Sequence, residues 1–194
     1  MMARTSSFDR KTKETHVQGE ITLDGSGNHR IKTGIGFLDH MLELFAFHSG
    51  FDISLMNEGD VHVDTHHSVE DIALALGEAV KNALGDCAGI ARYATFYLPM
   101  DETLVRTSLD ISGRAYHIFR GHFGGEMVGE LPTEMAIHFF KSFSDKAGLT
   151  LHQEILYGQN DHHKVEGLFK GFGRALRDAV KVVGTEVPSS KGVL

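Results

Sequence analysis

The sequence predicts an α+β fold built from two similar halves, in which two sheets and their helices pack about a pseudo-twofold axis. A five-residue cluster with the pattern His-His-x-Val-Glu occurs twice, at 66–70 and at 162–166. An apolar helical segment that contains a histidine, His40 or His138, precedes each cluster at nearly the same distance. Strand and helix patterns also follow in the same order, so we interpret each half as a β-β-α-β-α repeat.

The elements of the first half follow from hydrophobic spacing. Alternating apolar residues predict strands, and the turn chemistry of 24–27 would return the second strand as the hairpin partner of the first. Dense apolar spacing predicts a mostly buried helix before the first cluster, and good helix formers predict another helix after it. The predicted elements are strands 14–23 and 29–33, helix 37–48, strand 51–56, a short strand 61–63 and a helix that the cluster opens and that ends near residue 84.

The second half repeats this plan. Pro132 suits the start of a helix, the glycine-rich stretch 121–129 predicts a loop, and strand 115–119 is expected beside strand 103–111. The other predicted elements are strand 91–98, helix 133–147, strand 149–157 and a helix from the second cluster to residue 181. We therefore predict one domain over 1–194, with repeats at about 10–90 and 91–182 and an exposed C-terminal arm at 183–194.

Composition narrows the classes of protein. A chain of 194 residues that is 41% hydrophobic has enough apolar surface for a sizeable core. Its net charge of −7 argues against nucleic acid or an acidic membrane as a partner, although a local basic pocket is compatible with an anionic substrate. No apolar run approaches the roughly 18 to 20 residues that span a bilayer, and the N-terminus leads into charge rather than a secretory signal. We therefore expect a soluble, cytoplasmic protein.

Histidine and glutamate are the residues available to bind metal. The single cysteine, Cys87, excludes a cysteine-rich zinc site, whereas 13 histidines make an imidazole site feasible. The duplicated positions supply imidazoles and carboxylates: His40, His66, His67, Glu70, His138, His162, His163 and Glu166. This inventory suits two similar metal sites of three nitrogens and one oxygen, which leaves two positions of an octahedral ion for substrate or water.

Adjacent histidines are not expected to face the same ion. Neighbouring side chains point roughly 100° apart on a helix, so His66 and His67 would serve different metals. The sites would then be shared between the halves or between subunits. Ligand type alone does not choose among Mn, Fe, Zn, Co and Ni. Any one of the histidines taken alone is better explained as part of a polar helix start or as a core residue, and only the joint pattern favours metal.

Four segments resemble imidazoleglycerol-phosphate dehydratases of histidine biosynthesis: 34–42 (GIGFLDHML), 64–71 (DTHHSVED), 109–114 (LDISGR) and 160–166 (NDHHKVE). The resemblance extends from about residue 10 to residue 194 and includes no fused phosphatase domain, which is typical of a monofunctional form. It implies a lyase that dehydrates D-erythro-imidazole glycerol phosphate to imidazole acetol phosphate through a metal-bound imidazolate, with a pair of Mn²⁺ ions. It also implies a homo-oligomer, a 24-mer built from trimers, with sites between subunits.

The resemblance also assigns roles to individual residues. Glu14 and Glu166 would move protons, with Glu166 also near a metal, whereas Glu70 would only hold metal. The residues expected to bind the substrate phosphate are Arg92, Arg114, Lys170, Ser190 and Lys191. Ala91 and Ile137 depart from the residues common in the family, and neither is a predicted ligand. Two alternatives use the same ligands: a di-metal hydrolase, whose ions lie roughly 3.5 to 4 Å apart, and a non-catalytic metal-binding shell protein.

Overall fold

The structure, a computed structural model, describes residues 3–192 and confirms an α+β fold with duplicated halves. Each half contributes two helices and the four strands of one main sheet, in the order β-β-β-α-β-α, one strand more than the predicted repeat, and the second half adds a short two-stranded sheet before its first helix. The first half comprises β1 (Thr5–Lys11), β2 (Thr15–Thr22), β3 (His29–Lys32), α1 (Gly36–Ser49), β4 (Asp52–Gly59) and α2 (His66–Leu84). The second half comprises β5 (Tyr93–Met100), β6 (Thr103–Ile111), β7 (Tyr116–Arg120), the short β8 (Met127–Val128) and β9 (Leu131–Pro132), α3 (Thr133–Ala147), β10 (Leu149–Tyr157) and α4 (Asp161–Val180). Within the described range, no helix has the length and apolar character needed to cross a membrane.

The two main sheets have equivalent strand orders, β1-β2-β4-β3 and β5-β6-β10-β7. The central pairs are antiparallel, whereas β3 and β7 pair in parallel with β4 and β10. The prediction that 29–33 forms a hairpin with 14–23 is therefore wrong, as is the pairing of 115–119 with 103–111. In each half the longer strand after the first helix takes the central position, so the shorter strand is left at the edge. Residues 61–63 form a turn rather than the predicted short strand.

The helices lie between the two sheets and pair across the halves. α2 packs on β1 and β2 of its own half and on α3 of the other, and α4 packs likewise on β5, β6 and α1. Phe45 of α1 stacks on Phe172 of α4 with ring centroids 5.4 Å apart. At the α2–α3 contact the backbones approach so closely that a Cβ on Gly77 would lie 2.4 Å from the Phe143 carbonyl oxygen. Therefore α1, which carries His40, lies against the cluster helix α4 of the other half, and α3, which carries His138, lies against the cluster helix α2.

The C-terminal arm returns along the segment that precedes β5. Val182 forms an isolated bridge with Ile90, and the backbone N–H of Gly89 donates to the Glu186 carbonyl at 2.8 Å. The last two residues of the predicted arm lie outside the described range. The described part of the arm is exposed over most of its length but is held at its base and by Arg92, which donates a hydrogen bond to the Pro188 carbonyl.

Candidate metal and phosphate sites

Two groups of histidine and glutamate side chains lie between the paired helices. The α1–α4 group contains His40, His162 and Glu166. The α2–α3 group contains His66, Glu70 and His138. In each group one ligand atom from every member lies within 4.8 Å of the others. Each group combines one histidine from one half with a histidine and a glutamate from the other half. The two groups together contain six of the eight predicted ligands.

The start of each cluster helix fixes its histidine and glutamate on one face. Asn160 caps α4, because its side-chain oxygen accepts hydrogen bonds from the backbone N–H groups of His162 and His163 at 2.9 and 3.4 Å. At the start of α2 the Asp64 carboxylate accepts from the His66 N–H at 2.8 Å. With the helix started there, residues four apart share a face, and a histidine and a glutamate of each cluster point to the same place.

Glu166 is the most buried carboxylate of the two groups. Its Oε2 lies 3.0 Å from Nε2 of His162 and 3.6 Å from Nε2 of His40, while Lys170 pairs with its other oxygen. Burial pushes the pKa of the Glu166 carboxyl up, but Lys170 and His162 outweigh burial and hold that pKa below its usual range. Glu166 is therefore ionised near neutral pH. Lys170, which was predicted to bind phosphate, contacts Glu166 in this structure.

The donor atoms of the α2–α3 group suit a cation. Nε2 of His66 and Nε2 of His138 each lie 3.7 Å from a Glu70 oxygen, which is too far for a hydrogen bond. Nε2 of His138 is buried and has no hydrogen-bond partner among the described residues. A buried nitrogen without a partner is costly unless a ligand satisfies it. Two imidazole nitrogens and a carboxylate oxygen facing one another therefore fit a divalent metal.

The second histidine of each cluster lies outside these groups. Nδ1 of His67 donates to Asp60 at 3.0 Å, and Nδ1 of His163 donates to Glu102 at 2.8 Å. A histidine whose Nδ1 is held by a carboxylate has its ring orientation fixed and presents Nε2 as the ligand atom, as metal-binding histidines do. The prediction that adjacent histidines serve different metals stays a prediction. Asp60 was not found by sequence reasoning, because no spacing pattern links it to His67.

Four of the five predicted phosphate-binding residues line one surface cavity of about 550 Å³. The cavity is formed by Arg92, Tyr93, Arg114, Pro188, Ser189, Ser190 and Lys191. Arg92 binds both Asp110 oxygens, at 2.7 and 3.2 Å, and its remaining Nη1 donates to the Pro188 carbonyl at 2.7 Å. Arg92 therefore anchors the arm that brings Lys191 to the cavity. The result is a cationic cavity of a kind that suits a phosphate ester.

Glu14 lies in the turn between β1 and β2, outside both groups. Its side chain is exposed, and its carboxylate makes no hydrogen bond within residues 3–192. The hydrogen bond to Asp60 is the main reason that the pKa of His67 is raised, and Glu14 adds a smaller electrostatic contribution. The equivalent residue in the second half is Glu102, whose carboxylate accepts from Asn160, His163 and Gln159, so that its pKa lies well below the usual range.

These features define a duplicated α+β metalloprotein whose candidate metal groups each span both halves, with a cationic cavity for an anionic ligand. A family profile described as imidazoleglycerol-phosphate dehydratase matches residues 33–176. The chain belongs to the imidazoleglycerol-phosphate dehydratase family. It is accordingly an enzyme of histidine biosynthesis, a hydro-lyase, and this assignment is supported over the hydrolase and shell-protein alternatives.

Curated relatives and solved structures agree with this assignment. The chain is 56% identical to the imidazoleglycerol-phosphate dehydratase of Clostridium botulinum over the full length of both chains. It is 55% identical to that of Methylorubrum extorquens, over 98% of this chain and 100% of the relative. The Staphylococcus aureus enzyme structure is 37% identical, with a TM-score of 0.82, and covers 93% of this chain and 99% of its own. The Pyrococcus furiosus structure in complex with (S)-C348 is 36% identical, with a TM-score of 0.84, and covers 96% of this chain and 99% of its own.

Proposed function

We propose that the two histidine–glutamate groups are the metal centres at which this chain dehydrates imidazoleglycerol phosphate to imidazole acetol phosphate, and that the metal is Mn²⁺. The observation that carries the proposal is the buried Nε2 of His138, which faces Glu70 and lacks a hydrogen-bond partner in the described chain. Nitrogen and oxygen donors without thiolate suit Mn²⁺ as well as other divalent ions. When bound, such an ion supplies Lewis acidity and a template for the imidazole ring of the substrate.

His67 and His163 complete the donor inventory from another subunit. Each group supplies two nitrogens and one oxygen from this chain, one nitrogen fewer than the site composition inferred from the sequence. The Nδ1 atoms of His67 and His163 are already held by Asp60 and Glu102, which leaves Nε2 for a ligand. Sites completed in this way lie between subunits of a cytoplasmic homo-oligomer, a 24-mer built from trimers.

Glu14 and Glu166 carry the proton transfers. Glu166 is ionised and lies in the α1–α4 group, where it can hold metal and accept a proton from substrate. Glu14 is exposed, and its carboxylate is not engaged by any described residue. It is therefore available to a substrate that approaches from outside the chain. Glu70 has no such role and only holds metal.

The phosphate of the substrate occupies the cationic cavity. Arg114, Ser190 and Lys191 supply donors there, and Arg92 holds the arm in place through Pro188 while keeping part of its guanidinium for phosphate. Lys170 is the fifth residue proposed to bind the phosphate, and its ion pair with Glu166 places it at the α1–α4 group in this structure.

The metal assignment is tested by His138→Ala, with His152→Ala as the control. Both changes remove one histidine from the second half, but the His152 side chain is exposed on β10 and makes no hydrogen bond in the described structure. We expect His138→Ala to lower bound Mn²⁺ by about half and activity on the order of 10²-fold or more. Elemental analysis and an assay for imidazole acetol phosphate measure the two effects. Unchanged metal content and activity in His138→Ala would refute the assignment.

A further inference from the structure

We propose that Asp71 is a positioning residue that holds the β1–β2 turn and thereby aims Glu14 at the substrate. The proposal rests on the role proposed above for Glu14. Asp71 follows Glu70 on α2, but its side chain points away from the metal group and into the β1–β2 hairpin, where the side chain is 10% exposed. A buried carboxylate is costly unless it is paired and hydrogen-bonded, so its contacts identify what it holds.

All of the described side-chain contacts of Asp71 are made with this hairpin. Its Oδ1 accepts from Nε of Arg10 at 2.7 Å, and its Oδ2 accepts from the hydroxyl of Thr15. The hydroxyl of Thr12 lies 3.4 Å from the same Oδ2. One carboxylate on a helix therefore ties down residues on both sides of the turn that carries Glu14.

Thr12 passes this constraint to the backbone of Glu14. Its hydroxyl oxygen accepts from the backbone N–H of Glu14 at 3.2 Å and from that of Thr15 at 3.0 Å. The backbone N–H of Thr12 donates to the Thr15 carbonyl at 2.9 Å and closes the turn. The main chain of Glu14 is thus fixed, while its carboxylate takes no part in holding the turn.

The second half shows that the turn can be held in a different way. There the residue equivalent to Asp71 is Gly167, which packs against Val105. The turn is held instead by the carboxylate of Glu102, which accepts from the backbone N–H groups of Gln159 and Asn160 at 3.0 and 2.8 Å. In the first half Asp71 holds the turn, and Asp60 accepts the hydrogen bond from the histidine. The Glu14 carboxylate makes neither contact and is therefore available for chemistry.

The experiment compares Asp71→Asn with Thr22→Val in the metal-loaded enzyme. Thr22→Val removes a hydroxyl from the far end of the same hairpin, where its only side-chain partner in the described structure is Thr5 at 2.9 Å. We expect Asp71→Asn to lower kcat on the order of 10- to 100-fold while KM and bound Mn²⁺ stay within about twofold. Thr12→Val should act in the same direction, and Thr22→Val should leave kcat unchanged. Unaltered kcat in both Asp71→Asn and Thr12→Val would overturn the proposal.

A double variant separates positioning from a general structural role. In a Glu14→Gln background, adding Asp71→Asn should lower kcat no further, because Asp71 acts only through Glu14. A further fall equal to that seen in the wild-type background would overturn the proposal. Full activity of Glu14→Gln alone would instead refute the role of Glu14, and an inactive Glu14→Gln with a fully active Asp71→Asn would refute only the positioning role. If Asp71→Asn does not fold, Thr12→Val carries the same comparison from a turn hydroxyl.

Discussion

The role of each histidine is decided by what holds its ring. His66 and His67 are neighbours in the chain, yet His66 joins a group with Glu70 while His67 is bound through Nδ1 to Asp60. The same division separates His162 from His163. Because the two rings of each pair project in different directions from the helix, one reaches the histidine of the facing helix and the other reaches a carboxylate outside the group. A doubled histidine motif can therefore serve two separate metal centres.

Lys191 is expected to contribute binding rather than chemistry. It lies in the arm beside Arg114 and Ser190, at the cavity proposed for the phosphate. Lys191→Ala removes one charge-assisted hydrogen bond, so KM should rise roughly 10-fold or more while kcat changes little. Steady-state kinetics with imidazoleglycerol phosphate measures both. Lys81→Ala, at an exposed lysine of α2 outside the cavity, is the control, and an unchanged KM in Lys191→Ala would contradict the phosphate role.

At the residue scale the repeated pattern predicted which side chains lie together in the two groups, but not the residues that hold their neighbours. All six residues in the two groups were predicted from the duplication of His-His-x-Val-Glu and from the matching positions of His40 and His138. Asp60 and Asp71 were not predicted, because their contacts depend on how a turn and a hairpin lie against a helix. Glu102 carried a signal, since Glu102-Thr103 repeats Glu14-Thr15, but the repeat did not reveal that only one of the two glutamates is tied down.

At the element scale, the close approach of α2 and α3 holds the α2–α3 group together. Gly77 lies at this contact and has no room for a side chain, since an added Cβ would meet the backbone oxygen of Phe143. The two helices would have to move apart to accept it. Their separation would also move Glu70 away from His138.

Gly77→Ala should therefore destabilise the fold although alanine is the better helix former. We expect a net loss of about 1–3 kcal/mol in the free energy of unfolding, measured by thermal or urea unfolding of the metal-free protein. Gly171→Ala is the matched control, because the nearest atom to its added Cβ is the hydroxyl of Thr107 at 3.2 Å, a side-chain atom that can move. It should change stability by less than about 1 kcal/mol. Equal stability changes in the two variants would contradict this account of the helix contact.

The sequence predicted the elements better than their neighbours. All four helices were predicted close to their observed bounds, because their apolar spacing is long and regular. β1 was missed, since Thr5–Lys11 is mostly polar and only half-buried on its inner face. The predicted pairing partners of β3 and β7 were wrong, because a short strand that follows tight turn residues suggests a hairpin with the strand before it. In the structure the longer strands β4 and β10, which come later in the chain, lie beside β2 and β6 instead.

At the scale of the whole molecule, the metal groups depend on both halves at once. Each group takes its lone histidine from one repeat and its cluster residues from the other, so neither repeat alone holds a complete group. His67 and His163 lie outside both groups. Their Nδ1 atoms are held by Asp60 and Glu102, and Nε2 of His163 lies 3.8 Å from the Asp101 carboxylate, too far for a hydrogen bond. This arrangement is expected if the two histidines complete groups in neighbouring subunits.

Metal-dependent assembly provides the test of this arrangement. His67→Ala leaves the α2–α3 group of its own chain intact, so the chain should fold normally, but it removes the nitrogen proposed to reach the neighbouring subunit. Sedimentation velocity with excess Mn²⁺ should then show a smaller particle than the wild-type assembly, similar to wild type after treatment with a chelator. His163→Ala should behave in the same way, and His152→Ala should assemble normally. If His67→Ala and His163→Ala both sediment as wild type with Mn²⁺ present, these two histidines do not link subunits, and the α1–α4 and α2–α3 groups must obtain their remaining donors from within the chain or from water.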